Sequence, residues 1–381
     1  MRKVWFIALL AMIVIATMPV FASGTSEAAT GERVYRVGVI PKFIAEDYFI
    51  AAENGFREAE RELGNVRVDW VGDTMSQTSS ANQRNYIQSF IDRDYDAILV
   101  SALDPDSYAD TLKQARDQGI LVVTWDADVR ADARDWFVNQ GEFDEIGIAT
   151  FTGIAGELQG HGPGRAKVAL VSTTPDSPNQ NAWLEAIIRE YESKMDTDYS
   201  HIDLLRGPGE IVYAGNDQGT ADEQIMALLT ARPDISGMVA LSSNTVPAVS
   251  SARDQLGIGE GLKIVGISVP ETSRADMEAG RMSGVVLWQP FDLGYLTLHL
   301  TVDALEGNAP TGSTYVSPLT GTNMTVDFTD GETVVRYPAD GHKILADNEV
   351  ILGPPIVWNL NNIDRFRGYP RSDHGMRWFL D

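Results

Sequence analysis

The side chains that could bind a small molecule stand at or near the ends of predicted strands. The candidates are polar or aromatic, and they are Lys42, Tyr48, Phe49, Trp125, Asp126, Asp128, Asn179, Gln180, Asn181, Ser243, Ser268 and Gln289. Carboxylates and amides form hydrogen bonds with hydroxyl groups, and aromatic rings cover the C–H faces of a sugar. These residue types therefore predict a site for a small neutral polyol.

Each candidate also has an ordinary structural explanation. An aspartate at a strand end, such as Asp126, is often an N-cap or a loop carboxylate. Lys42 alone would be a solvated side chain, and Trp183 or Trp288 would by default pack in a core or an interface. The interpretation as a binding site depends on several strand ends carrying such residues at once.

Signatures of catalysis are mostly absent from the sequence. The five histidines are widely scattered, and the lack of cysteine excludes thiolate zinc sites, iron–sulfur clusters and thiol catalysis. The glycine-rich segment 160–165 precedes a predicted strand, so we interpret it as a loop and not as a phosphate site. We expect no cofactor, no metal and no enzymatic activity, while a carboxylate pair for glycoside cleavage stays open as an alternative.

The elements that must position these residues form a repeating pattern of strand and helix. The predicted strands are residues 34–40, 66–71, 97–100, 120–125, 136–139, 168–171, 202–205, 238–241, 264–267 and 285–288. Phe49, Ala52, Phe56 and Ala59 recur at steps of three and four and mark one helix face. Residues 220–223 have the spacing of a capping box that would open a later helix. Such alternation predicts parallel sheets with right-handed crossovers.

The number of strands predicts an α/β fold of two doubly wound parallel-sheet lobes. We expect an N-terminal lobe of residues 33–139 plus 290–320, and a C-terminal lobe of residues 141–286 plus 321–381. Segments 139–141 and 289–290 should then lie side by side as hinges. Ligands bind outside the carboxyl ends of the strands in such sheets, which is where the candidate residues stand.

Composition and the first residues limit the partners and the compartment. The 381-residue chain has 30 Lys and Arg against 54 Asp and Glu, and its net charge of −24 excludes ordinary nucleic-acid and anionic-membrane binding. Residues 1–22 combine a basic start, an uncharged stretch and small residues before the expected cleavage after Ala22. This pattern predicts a cleaved signal peptide, with a permanent membrane anchor as the alternative.

Short motifs follow one another in a characteristic order along nearly the whole mature chain. They occupy residues 40–42, 48–49, 54–55, 101–106, 124–128, 139–141, 180–183, 264–270 and 287–295. In this order they resemble the type I periplasmic sugar-binding proteins of bacterial ABC importers, in the branch of the autoinducer-2-binding and rhamnose-binding proteins. The resemblance implies two lobes joined by three hinge strands that close on a ligand without catalytic turnover.

The resemblance also assigns roles to individual residues. By position, Lys42, Asp126 and Gln180 match residues that hold autoinducer-2 in that family. Asn179 and Gln289 stand where the autoinducer-2 binders have aspartate. Gln289 matches the glutamine of ribose-type binders instead. These two departures favour a sugar slightly over autoinducer-2.

Two further departures concern main-chain contacts. Leu241 and Ser243 stand where the autoinducer-2 binders have proline and alanine.

The sequence as a whole predicts a monomeric periplasmic protein that delivers a small neutral sugar or an autoinducer-2-like ligand to an ABC importer permease. A binding protein that serves a chemoreceptor or sensor kinase, and an exported carbohydrate-active enzyme, are the alternatives.

Overall fold

Strands and helices alternate from Tyr35 onward. The structure is a computed structural model that describes residues 33–327 and 333–367, so the predicted signal peptide lies outside the described residues. The first elements are β1 (Tyr35–Ile40), α1 (Asp47–Leu63), β2 (Val66–Trp70), α2 (Ser80–Asp92), β3 (Ala97–Val100), α3 (Ala109–Asp117), β4 (Leu121–Trp125) and β5 (Trp136–Asn139). Each strand predicted in this part is present, within one residue at either end.

The same alternation continues through the middle of the chain. Its elements are α4 (Phe143–Glu157), β6 (Ala166–Ser172), α5 (Pro178–Lys194), β7 (Ile202–Leu205), β8 (Val212–Tyr213), α6 (Gln218–Ala231), β9 (Ile235–Ala240), α7 (Thr245–Gln255), β10 (Lys263–Gly266), α8 (Arg274–Glu278) and β11 (Val285–Leu287). The predicted capping box is wrong, because Asp217 caps α6 by accepting the N–H of Thr220.

The described residues after position 289 contain one long helix and six short strands. These elements are α9 (Pro290–Leu305), β12 (Thr314–Tyr315), β13 (Asn323–Asp327), β14 (Thr333–Arg336), β15 (His342–Leu345), β16 (Glu349–Ile351) and β17 (Ile356–Trp358). None of these strands was predicted from the sequence, since most of them are only two to four residues long.

Helix α1 shows how the sequence fixes an element beside the cleft. The Glu46 carboxylate accepts the N–H groups of Tyr48 and Phe49 and caps the helix, and Gly64 ends it with φ +73°. The predicted apolar face of α1 is buried. Helix α9 packs so closely on α1 that a Cβ at Gly294 would lie 2.2 Å from the Ala52 carbonyl oxygen.

The strands form two main sheets. The first sheet has the order β12-β15-β16-β5-β4-β3-β1-β2, and it is parallel from β16 to β2. The second sheet has the order β10-β9-β6-β7, with β8 beside β6, and all its pairs are parallel. Strand β11 pairs antiparallel with β17. The hairpin of β13 and β14 is separate from both sheets.

One part of the predicted lobe division is wrong. We expected residues 321–381 to belong with the second sheet, but β15 and β16 lie in the first sheet, where β16 pairs with β5. The pairing joins residues 210 positions apart, as the bond from Asn139 to Glu349 shows, and local sequence carries no signal for it. Among the described strands after α9, β17 is the one that lies on the second side, beside β11.

Within the described residues, the chain therefore passes between the two sides three times. The crossings lie between β5 and α4, between β11 and α9, and between β16 and β17. The first and third crossings are adjacent, since the Leu352 N–H donates a 2.8 Å hydrogen bond to the Asn139 carbonyl. The predicted neighbourhood of 139–141 and 289–290 stays a prediction.

Candidate ligand-binding site

A cleft lies between the two sheets, at the carboxyl ends of their strands. It has about 750 Å³ of space, its open mouth included. The first side contributes Lys42, Phe43, Glu46, Tyr48, Phe49, Met75, Leu103 and Asp126. The second side and the crossing after β11 contribute Thr173, Ser177, Asn179, Gln180, Trp183, Asn216, Leu241, Ser242, Ser243, Asn244, Ile267, Leu287 and Trp288.

Asp126 is the polar centre of the first side. It directly follows β4 in a left-handed conformation with φ +63°, and it is buried. Its Oδ1 accepts a 2.8 Å hydrogen bond from the Tyr48 hydroxyl, and its Oδ2 accepts one of 2.6 Å from Ser101. Lys42 Nζ lies 3.4 Å from Oδ2 and supplies the balancing charge. The carboxylate is therefore fixed in position by two hydroxyl donors and a neighbouring cation.

A chain of hydrogen bonds connects Asp126 to the crossing after β11. The Trp288 indole Nε1 donates to the Tyr48 hydroxyl at 2.9 Å, and that hydroxyl donates to Asp126. Burial, followed by the negative charge of Asp126, raises the pKa of Tyr48 well above its ordinary value. Tyr48 is therefore a hydroxyl donor at any ordinary pH.

The second side meets the first at Asn179. Its Nδ2 donates a 2.9 Å hydrogen bond to the Asp126 carbonyl oxygen, and the neighbouring Gln180 Nε2 donates to the Leu241 carbonyl at 3.2 Å. Three buried atoms here have no hydrogen-bond partner: Asn179 Oδ1, Gln180 Oε1 and Trp183 Nε1. Buried polar atoms normally have partners, so this group is suited to bind a polar ligand.

Aromatic rings form the apolar wall of the cleft. Trp288 stands edge-on to Tyr48 with ring centroids 5.8 Å apart, and it lies 5.9 Å from Trp183. Phe43 and Phe49 make a further edge contact at 5.7 Å. Rings beside hydroxyl-binding groups are what a sugar requires of its site.

Glu46 is a cleft residue that the sequence analysis missed. Its pKa is raised to about 7, chiefly by burial; the N–H groups of Tyr48 and Phe49 oppose this rise, and the carboxylates of Asp47 and Asp126 add to it. The only signal in the sequence was an acidic residue directly before a predicted helix. Asn216 was missed because β8, which precedes it, has two residues. Thr173 and Ser177 follow β6 and bond each other.

The cleft brings together seven of the twelve predicted site residues. They are Lys42, Tyr48, Phe49, Asp126, Asn179, Gln180 and Ser243. Two others, Trp125 and Asp128, are absent from the lining. Trp125 is fully buried and packs its ring on Phe56 and Trp70, because strand alternation points it into the core. Asp128 pairs with the Arg134 guanidinium through both oxygens, at 2.8 Å each.

Three more predicted residues lie outside the cleft lining. Asn181 Nδ2 donates to the Pro175 carbonyl, since one step along α5 turns it away from Gln180. Ser268 is fully buried and pairs with the Thr272 hydroxyl. Gln289 is also buried, and its amide bonds the Arg365 carbonyl and the Arg367 N–H. Gln289 therefore contacts the C-terminal segment of the described chain.

The sequence matches the periplasmic binding protein domain family over residues 37–309. The chain belongs to that family. This binding protein is 22% identical to the xylose/arabinose-binding protein XylF of Sulfolobus acidocaldarius over 304 residues, which cover 74% of this chain and 71% of that protein. The family predicted from the sequence is thereby confirmed.

Solved structures confirm the type I periplasmic-binding-protein fold of this binding protein. LsrB from Clostridium saccharobutylicum in complex with AI-2 has a TM-score of 0.73 at 21% identity, covering 87% of this chain and 99% of the other. A solute-binding protein of an ABC transporter from Clostridium phytofermentas with bound L-rhamnose has a TM-score of 0.72 at 22% identity, with coverages of 87% and 98%.

A sugar ABC transporter structure from Actinomyces odontolyticus has a TM-score of 0.63 at 25% identity, and the match covers 87% of this chain and 97% of that one.

A further finding concerns the helices of this binding protein. Within residues 33–327 and 333–367, no helix of this binding protein combines the length and the apolar character that crossing a membrane requires.

Proposed function

We propose that this protein is the solute-binding component of an ABC importer and that it binds a small neutral sugar or sugar-derived signal in the cleft. A pentose, a deoxyhexose such as rhamnose, and autoinducer-2 are the ligand classes. The related proteins named above carry xylose or arabinose, AI-2 and L-rhamnose in their names. The protein would release its ligand unchanged, without catalysis.

One observation carries the proposal. Hydrogen-bonding groups from both sheets converge at Asp126, and three buried atoms at Asn179, Gln180 and Trp183 lack partners. Leaving a buried polar atom without a partner costs about 1–3 kcal/mol, so a ligand that bonds these atoms gains affinity. Two acceptors and one indole donor, beside a fixed carboxylate, match a molecule with several hydroxyls.

The choice between a sugar and autoinducer-2 now depends on Asn179 alone. Gln289 no longer supports the preference for a sugar, because its amide is bonded to the segment Arg365–Arg367 and is not part of the cleft lining. Asn179 places an amide where the resemblance expects a second aspartate, so the cleft lining contains a single fixed anion besides Glu46. We propose a monosaccharide on this basis.

Compartment and partner follow from the same proposal. We propose that the precursor is exported, that a signal peptidase cleaves it after Ala22, and that the mature monomer docks on an importer permease. Mass spectrometry of the protein purified from the periplasm should show an N-terminus at Ser23. A mature protein that retains residues 1–22 would support the membrane-anchor alternative.

Isothermal titration calorimetry tests the ligand. The mature protein is titrated with D-xylose, L-arabinose, D-ribose, L-rhamnose, L-fucose and autoinducer-2, and each ligand is recovered and analysed for chemical change. We expect one monosaccharide to bind tightly and to be recovered intact. Tight binding of autoinducer-2 with no sugar response would overturn the sugar preference, and a converted sugar would support the enzyme alternative.

A variant pair makes the calorimetry specific for the cleft. Lys42→Met should weaken binding at least tenfold, because Asp126 loses the cation 3.4 Å from its Oδ2. Lys167→Met is the matched control, since Lys167 pairs with Asp234 on the surface of the second side. Equal losses in the two variants would exclude the cleft as the binding site.

A further inference from the structure

Glu46 occupies an unusual position in the cleft. One oxygen, Oε2, accepts the N–H groups of Tyr48 and Phe49 at 3.1 and 3.3 Å and so caps α1. Among the contacts of the described residues, Oε1 has no hydrogen-bond partner. Because Glu46 lines the cleft and one of its oxygens is committed to the helix cap, the second oxygen is the one it can offer to a ligand.

The charges around Glu46 disfavour its ionised form when the cleft is filled. The charged cleft-lining residues among the described ones are Lys42, Glu46 and Asp126, and the second side contributes none. Lys42 is already committed to Asp126 at 3.4 Å. Asp47, at the start of α1, adds another negative charge, and Tyr48 is a hydroxyl bonded to Asp126. No cation remains in the lining to balance a second carboxylate.

A neutral sugar would displace water from Glu46 without supplying a positive charge. Removing water from an unbalanced carboxylate is costly, and a proton is the least costly way to neutralise it. Protonation on Oε1 leaves Oε2 free to continue capping α1, because a carbonyl-type oxygen still accepts the two N–H groups. The added proton is then carried by the oxygen that the helix cap leaves free.

We propose that Glu46 is a specificity-determining residue that binds the ligand as a neutral carboxylic acid and donates its hydroxyl to a ligand oxygen, so that binding takes up protons. This inference rests on the proposed sugar-binding function and adds a regulation to it. The ligand class it selects is an uncharged molecule with an acceptor oxygen at that position. Sugar hydroxyl and ring oxygens satisfy this requirement, whereas an ammonium group would favour the ionised acid.

The pKa of Glu46 supports the role that the geometry gives to its carboxyl group. A carboxyl whose pKa is about 7 is half protonated at neutral pH in the free protein. If only the neutral acid binds, binding at pH 7 takes up about 0.5 proton per ligand. The affinity then falls about tenfold between pH 6 and pH 8, because the neutral fraction drops by that factor.

Calorimetry in two buffers of different ionisation enthalpy measures this uptake directly. The probe is the monosaccharide with the tightest binding in the panel above, titrated in phosphate and in Tris at pH 7, and then at pH 6 and pH 8. We expect proton uptake and the tenfold loss in the unmodified protein. Glu46→Gln should bind with no buffer dependence and the same affinity at both pH values, since the glutamine amide both caps and donates.

The control is Glu185→Gln, which changes an exposed carboxyl on α5 and should keep the uptake. Carboxyl carbon NMR of the ligand-free protein, which needs no ligand, should show one carboxyl that titrates near pH 7 and vanishes in Glu46→Gln. A sugar that binds without proton uptake, or with proton release, would overturn the role of Glu46 and leave the proposed function intact. A panel in which neither a sugar nor autoinducer-2 binds would overturn both.

Discussion

The Asn179 side chain donates a 2.9 Å hydrogen bond to the Asp126 backbone carbonyl and joins the two sides of the cleft directly. Asn179 lies in the first turn of α5, and Asp126 follows β4 in the first sheet. An aspartate could not donate this bond. The contact therefore couples the choice of residue at position 179 both to the ligand and to the approach of the two sides.

We expect Asn179→Asp to weaken monosaccharide binding at least tenfold. The change removes an amide donor and adds a carboxylate close to the carboxylate of Asp126, and 1.4 kcal/mol corresponds to one factor of ten in the dissociation constant. Calorimetry with the tightest sugar measures the loss. The control is Asn181→Asp, because Asn181 donates to Pro175 outside the cleft. Preserved sugar affinity, or tighter autoinducer-2 binding in Asn179→Asp, would favour a site built for autoinducer-2.

The change from aspartate to asparagine should weaken sugar binding at Asp126 and lower stability at Asp128. Asp126→Asn keeps a residue that tolerates φ +63° but removes the charge that pairs with Lys42, and we expect at least tenfold weaker sugar binding with little loss of stability. Asp126→Ala should also unfold at a lower temperature, because alanine is strained in this conformation.

Asp128→Asn should leave sugar binding unchanged and lower the free energy of unfolding. It breaks the pair with Arg134, whose side chain is 3% exposed, and such a buried guanidinium without its carboxylate costs about 3 kcal/mol. Urea unfolding of the two asparagine variants, beside their sugar titrations, separates the effects. A weaker sugar affinity in Asp128→Asn would return that residue to the binding site.

Arg367 should fasten the end of the described chain to α9. Its guanidinium lies 3.0 Å from the Asp292 carboxylate, which is fully buried and also accepts the Tyr337 hydroxyl at 2.7 Å. We expect Arg367→Met to lower the free energy of unfolding by about 2–3 kcal/mol, since Asp292 is left without its cation. The neighbouring exposed arginine gives the control Arg365→Met, and equal unfolding midpoints in urea for the two variants would contradict this expectation.

The pH dependence of stability should contain a contribution from His342. This ring is fully buried, its Nε2 lies 2.8 Å from the Ser317 hydroxyl, and its Nδ1 lies 2.9 Å from the Leu352 carbonyl at the third crossing. Burial lowers its pKa below the ordinary value of 6.5, although contacts with the backbone at Leu352 and Ile351 oppose this.

The sign follows from where the proton binds. As the pH falls below about 6.5 the unfolded chain protonates His342 first, so the unfolded state binds more protons and the free energy of unfolding decreases, by at most ~1.4 kcal/mol per pH unit. We expect urea unfolding at pH 7 and pH 5 to show a smaller loss in His342→Gln than in the unmodified protein. His161→Gln, at an exposed position, should keep the original loss.

The sequence predicted the fold best where strands and helices alternate in order. Parallel units of this kind bury continuous apolar runs, such as the one in β3, and these are visible locally. Strands β15 and β16 were assigned to the wrong side because β16, the partner of β15, pairs with β5, which lies about 200 residues earlier in the chain. The local sequence of a strand of three or four residues does not indicate which of the two sheets the strand will join.

The site shows the same limit at the level of single side chains. The rule that ligands bind at strand ends found Lys42, Asp126 and Gln180, because it depends only on where strands stop. It also selected Asp128, which the more distant Arg134 neutralises. The rule missed Glu46, because this residue stands directly before a helix and reads as a helix cap. In the structure, one carboxyl group both caps α1 and lines the cleft.

The three crossings of the chain have a consequence for the order in which the protein can assemble. The strands of the second sheet lie between Ala166 and Gly266, so that sheet is complete in one continuous stretch of chain. The first sheet needs β16 beside β5, and the bonded residues Asn139 and Glu349 are 210 positions apart in the chain. The second sheet can therefore be completed before the first, and a nascent chain keeps an unpaired edge at β5 until β16 has been synthesised.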